Sequence, residues 1–505
     1  MSRSQILHTS CIKWHSVLVS APMPFISRFF SVLALLPLAT QALAAPAEFW
    51  YSHSGAAASA IADVCRSFNA QREDGDRLHC IRQGTYEQTL QKTVAAYRAG
   101  IGPALVEIYD VATPDMLLGG ATHAVDTVMA DHQRAYSDDT FLPALRRYYS
   151  DDHGTLAAQP FAASTAVFYT HRKALAAAGI SEPPATWEAF DTALRALKRS
   201  GHTCPAVTEF SPWIWLEQTS AAQGTHVAIR SAGTDHYQFD KGTHVRLMTD
   251  VARWTAEGLV RHQDSTRSGQ QGLAFATGDC AMLLDSTGSW NVMHGDLESD
   301  IEVSALPIYA NTQRRANVPG GSSLWVMRGH SVRDYRVVSE FLAFVLQPDN
   351  QLMFSARTGY LPVTQAAAAR LQSGTQKPSA VAVGLAALND IDGEPSAPLR
   401  CGFITLMRLI WSQEMENALA GRQSVDHALR QTTMRANELL SLFQQMHQAQ
   451  TSNSALDTHP GGASRATLHL LAKRPVQLSE IGRADDRFRE QALSDKNLHS
   501  SEVTP

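Results

Sequence analysis

Glu48-Phe49-Trp50-Tyr51, an amphipathic run from Ala57 to Asn69, His79-Cys80-Ile81-Arg82, a second run from Tyr86 to Ala99, then Ala104-Leu105-Val106-Glu107-Ile108-Tyr109: in this order the sequence alternates strand and helix. Ile61, Val64 and Phe68 share one face of the first run. Leu90, Val94 and Tyr97 recur at helical spacing in the second, which Gly100 closes. Strands alternating with helices predict an α/β fold, a mostly parallel sheet with helices packed on its faces.

The pattern returns after a polar segment near Asp138 and Asp151. Ala166-Val167-Phe168-Tyr169 reads as a strand, Arg172 to Ala178 as a helix closed by Gly179, and Thr186 as the cap of a helix running to Arg199. Val245 to Glu257 and the strand Cys280-Ala281-Met282-Leu283-Leu284 continue the series, which makes a second α/β lobe. Val337 to Val345 and Met407 to Leu419 are amphipathic, and Ser424 to Met446 is a long helix ending the globular part. From 448 to 505 the composition shifts to Ser, Thr, His, Asp and Gly, as expected of a disordered tail. No repeat of fixed period is visible, so a solenoid is not expected.

With 505 residues, 44% hydrophobic content and 18% charge, the chain has the composition of a soluble globular protein with two or three cores. A net charge of −5 with scattered basic residues argues against nonspecific nucleic-acid binding. Near the N-terminus, Arg28 supplies a positive charge, Phe29 to Leu38 an apolar core, and Ala42-Leu43-Ala44 small residues for cleavage. This predicts an export signal cut after Ala44, with 1–22 as an upstream extension and Met23 competing with Met1 as the start. The apolar run is about ten residues, whereas a spanning helix needs about 20. Export into an oxidising space permits disulfides among Cys65, Cys80, Cys204, Cys280 and Cys401. Cys65 with Cys80 is the local candidate; two buried thiols are the alternative.

Catalytic signatures are missing from the sequence: no G-x-S-x-G elbow, no H-E-x-x-H, no Walker loop and no dinucleotide fingerprint. What recurs is hydroxyl, glycine and aromatic residues at strand ends. The sharpest case is Pro319-Gly320-Gly321-Ser322-Ser323-Leu324-Trp325-Val326-Met327, read as a glycine turn that gathers donors for an anion, held by the strand after it. Gly84-Thr85-Tyr86, Tyr109-Asp110, Ser164-Thr165, Phe210-Ser211-Pro212-Trp213 and Asp285-Ser286-Thr287-Gly288 are of the same kind. In an α/β sheet such groups converge beyond the carboxyl ends of strands. Taken singly, each has a plainer reading, a serine as helix cap or an aromatic as core.

Gly84-Thr85-Tyr86-Glu87-Gln88, Ala158-Gln159-Pro160-Phe161, Gly278-Asp279-Cys280-Ala281-Met282, Gly320-Gly321-Ser322-Ser323-Leu324-Trp325-Val326-Met327 and Thr358-Gly359-Tyr360-Leu361-Pro362 occur in one order between Phe49 and Phe443. Together they resemble the periplasmic sn-glycerol-3-phosphate-binding proteins of ABC importers, extracellular solute-binding proteins of maltose-binding-protein-like fold. The resemblance implies a type II periplasmic binding protein: 45–160 plus 306–361 as one lobe, 161–305 plus 362–447 as the other, closing on a ligand between them. It implies ligand contacts at Tyr86, Ser164, Ser286, Gly321, Tyr360 and Arg408, with Arg400 the competing arginine, and an aromatic wall at Trp213. An arginine fork grips two phosphate oxygens while hydroxyls complete the shell without added charge.

Two departures stand out. Asp110 occupies the place of the family's glutamate, one methylene shorter, and Phe210 the place of a second tryptophan. Both imply a roomier alcohol end and a ligand such as glycerophosphocholine beside glycerol 3-phosphate. The expected protein is a monomer that needs no cofactor or metal, performs no chemistry and hands its ligand to a permease with ATPase subunits. The competing expectations are a sugar-binding protein of the same fold and an exported hydrolase of glycerophosphodiesters.

Overall fold

A computed structural model of the chain describes residues 46–70, 72–231, 234–293, 295–373, 380–388 and 401–454. The expected export signal, Arg400 and residues 455–505 of the expected tail lie outside the described residues.

Each of the two large sheets is mixed. The strands are β1 (Ala47–Tyr51), β2 (Leu78–Arg82), β3 (Leu105–Tyr109), β4 (Thr122–His123), β5 (Gln159–Ser164), β6 (Ala166–His171), β7 (Ala206–Thr208), β8 (Ala228–Ser231), β9 (Thr234–Tyr237), β10 (Val260–His262), β11 (Met282–Ser286), β12 (Ile301–Ser304) and β13 (Gly320–Met327). One sheet runs β2-β1-β3-β13-β4 with β5 also on β13, and the other runs β10-β7-β11-β6-β12. The pairs β1 with β2 and β3, and β7 with β10 and β11, are parallel, as helical crossovers require. The expectation of mostly parallel sheets fails at β13, which returns from the other lobe and runs antiparallel to β3, β4 and β5. It fails likewise at β6, antiparallel to β11 and β12.

The first lobe buries Phe49 and Leu105 on its sheet, and helix Gly55–Asn69 lays Ile61, Val64 and Phe68 over them. The Phe68 ring meets Phe341 of helix Val332–Val345 edge-on at 5.2 Å. In the second lobe Trp187, Phe190 and Trp254 pack as a buried aromatic cluster, each worth on the order of 2–3 kcal/mol of apolar burial. Local signals act where expected. Thr85 and Gln88 form a reciprocal cap on helix Tyr86–Ala99, Gly100 ends it at φ 71°, and the Thr186 hydroxyl accepts from the Ala189 N–H at 3.1 Å.

Disulfides join Cys65 to Cys80 and Cys204 to Cys280, while Cys401 is free and buried. The first ties helix Gly55–Asn69 to β2. The second spans 76 residues of sequence and closes because β7 and β11 are neighbours, with Ala206 opposite Met282. Helix Val425–Ser454 runs past Met446, since no proline or glycine interrupts the chain before Pro460.

Gly320 and Gly321 are not a turn preceding a strand; they are its first two residues. The β13 register against β5 shifts between Gly321 and Ser323, and Gly321 takes φ 97° at this bulge. The lobes meet here too. Thr165 alone separates β5 of one sheet from β6 of the other, and its hydroxyl donates to the Val318 carbonyl at 3.1 Å. Gln218 Nε2 donates to the same carbonyl at 2.8 Å.

Candidate ligand-binding site

The C-terminal ends of β1 and β3 and the start of helix Tyr86–Ala99 meet at one point, and Tyr86 stands there. Its ring stacks on Tyr109 at 5.5 Å and meets His53 edge-on at 5.2 Å; Tyr360 also meets His53 edge-on, at 5.5 Å. Burial, with Tyr360 and Glu107 nearby, holds the Tyr86 phenol far above its ordinary pKa, so it is a neutral donor. Burial likewise pushes the Tyr360 phenol up to about 12.

Tyr360 also reaches the second lobe. A methyl group on Gly288 would sit 3.1 Å from its ring, and Gly288 donates its N–H to Ser286 Oγ at 3.1 Å. Ser286 thus caps the short helix Thr287–Val292, the plainer role for such a serine, and its hydroxyl proton is left to donate elsewhere.

Arg408, on helix Ile404–Leu419, presents its fork to Glu217: Nε to Oε1 at 2.7 Å and Nη2 to Oε2 at 2.8 Å. Glu217 lies on a wide helical turn, Trp213–Gln218, of the π type that often marks functional sites. Asp110 completes the group. Burial pushes its carboxyl up to about 7, against the pull of Arg408. Tyr109, between Tyr86 and this cluster, shares a 2.7 Å hydrogen bond with Thr405, one turn before Arg408.

Gly320 and Gly321 accept close neighbours. A Cβ on Gly320 would fall 2.4 Å from the Trp213 indole, and one on Gly321 would fall 1.9 Å from the Ala162 carbonyl oxygen. Ser164, buried, pairs with Gly320 across the β5–β13 ladder. Trp213 Nε1 is buried and makes no hydrogen bond to a described residue. Of the expected residues, Tyr86, Asp110, Ser164, Trp213, Ser286, Gly321, Tyr360 and Arg408 are thus joined through short chains of contacts. Phe210 is set apart. In a left-handed conformation at φ 54°, it stacks on His262 at 5.9 Å and packs against Trp215 at 6.4 Å.

Three residues escaped the sequence reading, His53, Glu107 and Glu217, whereas Ser322 stood in the glycine segment read as gathering donors. Glu107 was visible as a lone charge inside an apolar strand, a position that demands a partner. It accepts from the Ser52 N–H at 2.8 Å, from Ser322 Oγ at 2.5 Å and from His53 Nε2 at 2.6 Å.

A cavity of about 1590 Å³ opens beside the Arg408–Glu217 pair. Arg146, His153, Glu217, Arg230 and Phe443 are among the residues that line it. Among the described residues no group of three or more His, Cys, Asp or Glu side chains could hold a metal ion. No described helix is long and apolar enough to cross a membrane.

Residues 63–382 match the family model of the bacterial extracellular solute-binding protein. The chain belongs to this family. This solute-binding protein is 30% identical over 427 residues to the sn-glycerol-3-phosphate-binding periplasmic protein UgpB of Pectobacterium atrosepticum, covering 82% of this chain and 95% of the relative. To the protein of that name in Escherichia coli K12 it is 31% identical over 412 residues, covering 78% and 92%. Among solved structures it is similar to UgpB from Mycobacterium tuberculosis in complex with glycerophosphocholine, with a TM-score of 0.65, 22% identity and coverage of 79% and 99%. Maltose-bound MalE3 of T. maritima gives 0.65, 15%, 78% and 99%. At those identities the two structures speak for the fold, that of a two-lobed periplasmic binding protein.

Proposed function

We propose that this solute-binding protein is the extracytoplasmic capture component of an ABC importer, taking sn-glycerol 3-phosphate and glycerophosphodiesters such as glycerophosphocholine. It passes them unchanged to a permease with its ATPase subunits. The observation that carries this reading is the buried fork of Arg408, close to Asp110 and joined through Tyr109 to the neutral phenols of Tyr86 and Tyr360. Glu217 engages the Nε–Nη2 edge of the guanidinium, and the remaining Nη1–Nη2 edge together with neutral donors suits two phosphate oxygens. The cleft around the fork favours a ligand larger than the monoester: Asp110 is short, Phe210 is turned toward His262, and the adjoining cavity has room for a second alcohol. The titratable carboxyl of Asp110, neutral or charged near pH 7, can accept from a glycerol hydroxyl in either state.

Calorimetric titration of the mature chain with glycerol 3-phosphate, glycerophosphocholine and maltose tests the reading. Both phosphate compounds are expected to bind, the diester at least as tightly, and the sugar not at all. Clear preference for the monoester removes the diester part. Binding of the sugar alone replaces the whole reading with a sugar receptor, and hydrolysed diester recovered after incubation replaces it with an enzyme.

A further inference from the structure

Strands β8 and β9 form a sheet of their own, so each has one edge without a strand beside it. Helix Val425–Ser454 covers the edge of β9. The Asn437 side chain accepts from the Tyr237 N–H at 2.8 Å and donates to the Tyr237 carbonyl at 3.0 Å, and Gln444 Nε2 donates to the Asp235 carbonyl at 3.1 Å. Ala228 stands opposite Tyr237 and Arg230 opposite Asp235. In antiparallel pairing these two residues therefore turn their own N–H and C=O groups away from β9. No described residue bonds to those groups. An open strand edge is a template for a further strand, and native proteins cover such edges.

Ala228, Ile229 and Arg230 line the cavity of about 1590 Å³, together with Leu440, Phe443 and His447 of helix Val425–Ser454. Ile229, Leu440 and Phe443 give this side of the cavity an apolar lining, and Ile229 is 40% exposed. The helix ends about 10 Å past His447, and the chain continues through 455–505. The densest apolar run in that stretch is Leu468-His469-Leu470-Leu471, with Pro475 soon after it. In a strand Leu468 and Leu470 share one face, and a proline ends the pairing. The residues between Ser454 and Leu468 span up to about 45 Å when extended, several times the distance back to His447.

We propose that Leu468-His469-Leu470-Leu471 docks in this cavity as a third strand on the free edge of β8, with Leu468 and Leu470 against Ile229, Leu440 and Phe443. Backbone hydrogen bonds to Ala228 and Arg230 hold the strand, and the leucines set its register. The strand takes the β8 side of the cavity and leaves the Glu217 side to the ligand, so the docking does not depend on what the ligand is. Its effect is to cover an edge that a second copy of the chain would otherwise reach.

The test is amide hydrogen exchange read by mass spectrometry on the mature chain through Pro505. Peptides holding Ala228 and Arg230, and those holding Leu468 to Leu471, are expected to exchange at least about tenfold more slowly in the wild type than in the double variant Leu468→Ser with Leu470→Ser. From the other side of the contact, Ile229→Asp is expected to release the 468–471 peptide to the same degree. The tail positions lie outside the described fold and Ile229 is at its surface, so all the variants are expected to melt as the wild type does. Equal exchange in the wild type and the tail variant overturns the proposal, and so does a 468–471 peptide that stays protected in Ile229→Asp. Protection that grows with protein concentration, with a dimer in sedimentation, assigns the edge to a second copy and overturns docking of the chain's own tail.

Discussion

Arg408 and Glu217 form a two-point ion pair, 2.7 and 2.8 Å, with side chains only 18% and 7% exposed. Such a pair contributes little net stability, because desolvation offsets attraction, but removing one partner strands the other.

Arg408→Ala is therefore expected to do two separable things. Affinity for the phosphate compounds falls at least about 100-fold, and stability falls by about 3–5 kcal/mol because Glu217 is left buried and unpaired. The double variant Arg408→Met with Glu217→Leu recovers the stability and not the binding. Calorimetry for affinity and denaturant melts for stability check both halves. Binding that survives in the double variant would remove Arg408 from the site.

Asp110 carries a pH signature of its own. Its folded pKa, about 7, lies above the unfolded value near 3.9, so the folded state holds a proton that the unfolded state has released between those pH values. The stability it contributes is full below about pH 4 and declines as pH rises through about 7. Asp110→Asn is expected to leave the unfolding free energy unchanged at about pH 4 and to raise it at about pH 8 by an amount on the order of a few kcal/mol, read from denaturant melts at the two pH values. An equal effect at both pH values contradicts the assignment.

Two glycines separate backbone conformation from space. Both Gly100 and Gly321 have positive φ, but a methyl group on Gly100 meets nothing within 4 Å, whereas on Gly321 it meets the Ala162 carbonyl oxygen at 1.9 Å. Gly100→Ala is expected to cost about 1 kcal/mol. Gly321→Ala is expected to cost more than about 3 kcal/mol and to displace β5 with Ser164, with loss of ligand binding. Thermal melts of the two variants side by side provide the comparison.

The elements that can be read along a short window were legible in advance: helices Tyr86–Ala99 and Trp187–Arg199 carry their caps in sequence, and β1 and β3 stand out by composition. What depended on tertiary partners was not. The β13 bulge exists only against β5, and Cys204 meets Cys280 only when β7 and β11 lie side by side. His53 and Glu107, 54 residues apart, come together because β1 and β3 are neighbours, with Phe49 opposite Leu105. Phe210 was expected beside Trp213 because the resemblance puts it in the place of a second tryptophan, and with its left-handed backbone its ring stacks on His262.

Thr165 is a tether one residue long, and the length sets the kind of motion that the lobes can make. A residue spans at most about 3.6 Å, so β5 cannot slide along its axis relative to β6 without tearing hydrogen bonds from both sheets. With Val318 fastened to Thr165 and Gln218, the second crossing is fixed at nearly the same place. Translation is thereby opposed at two passages of the chain at once, so that an angle is the natural measure of any difference between arrangements of the lobes.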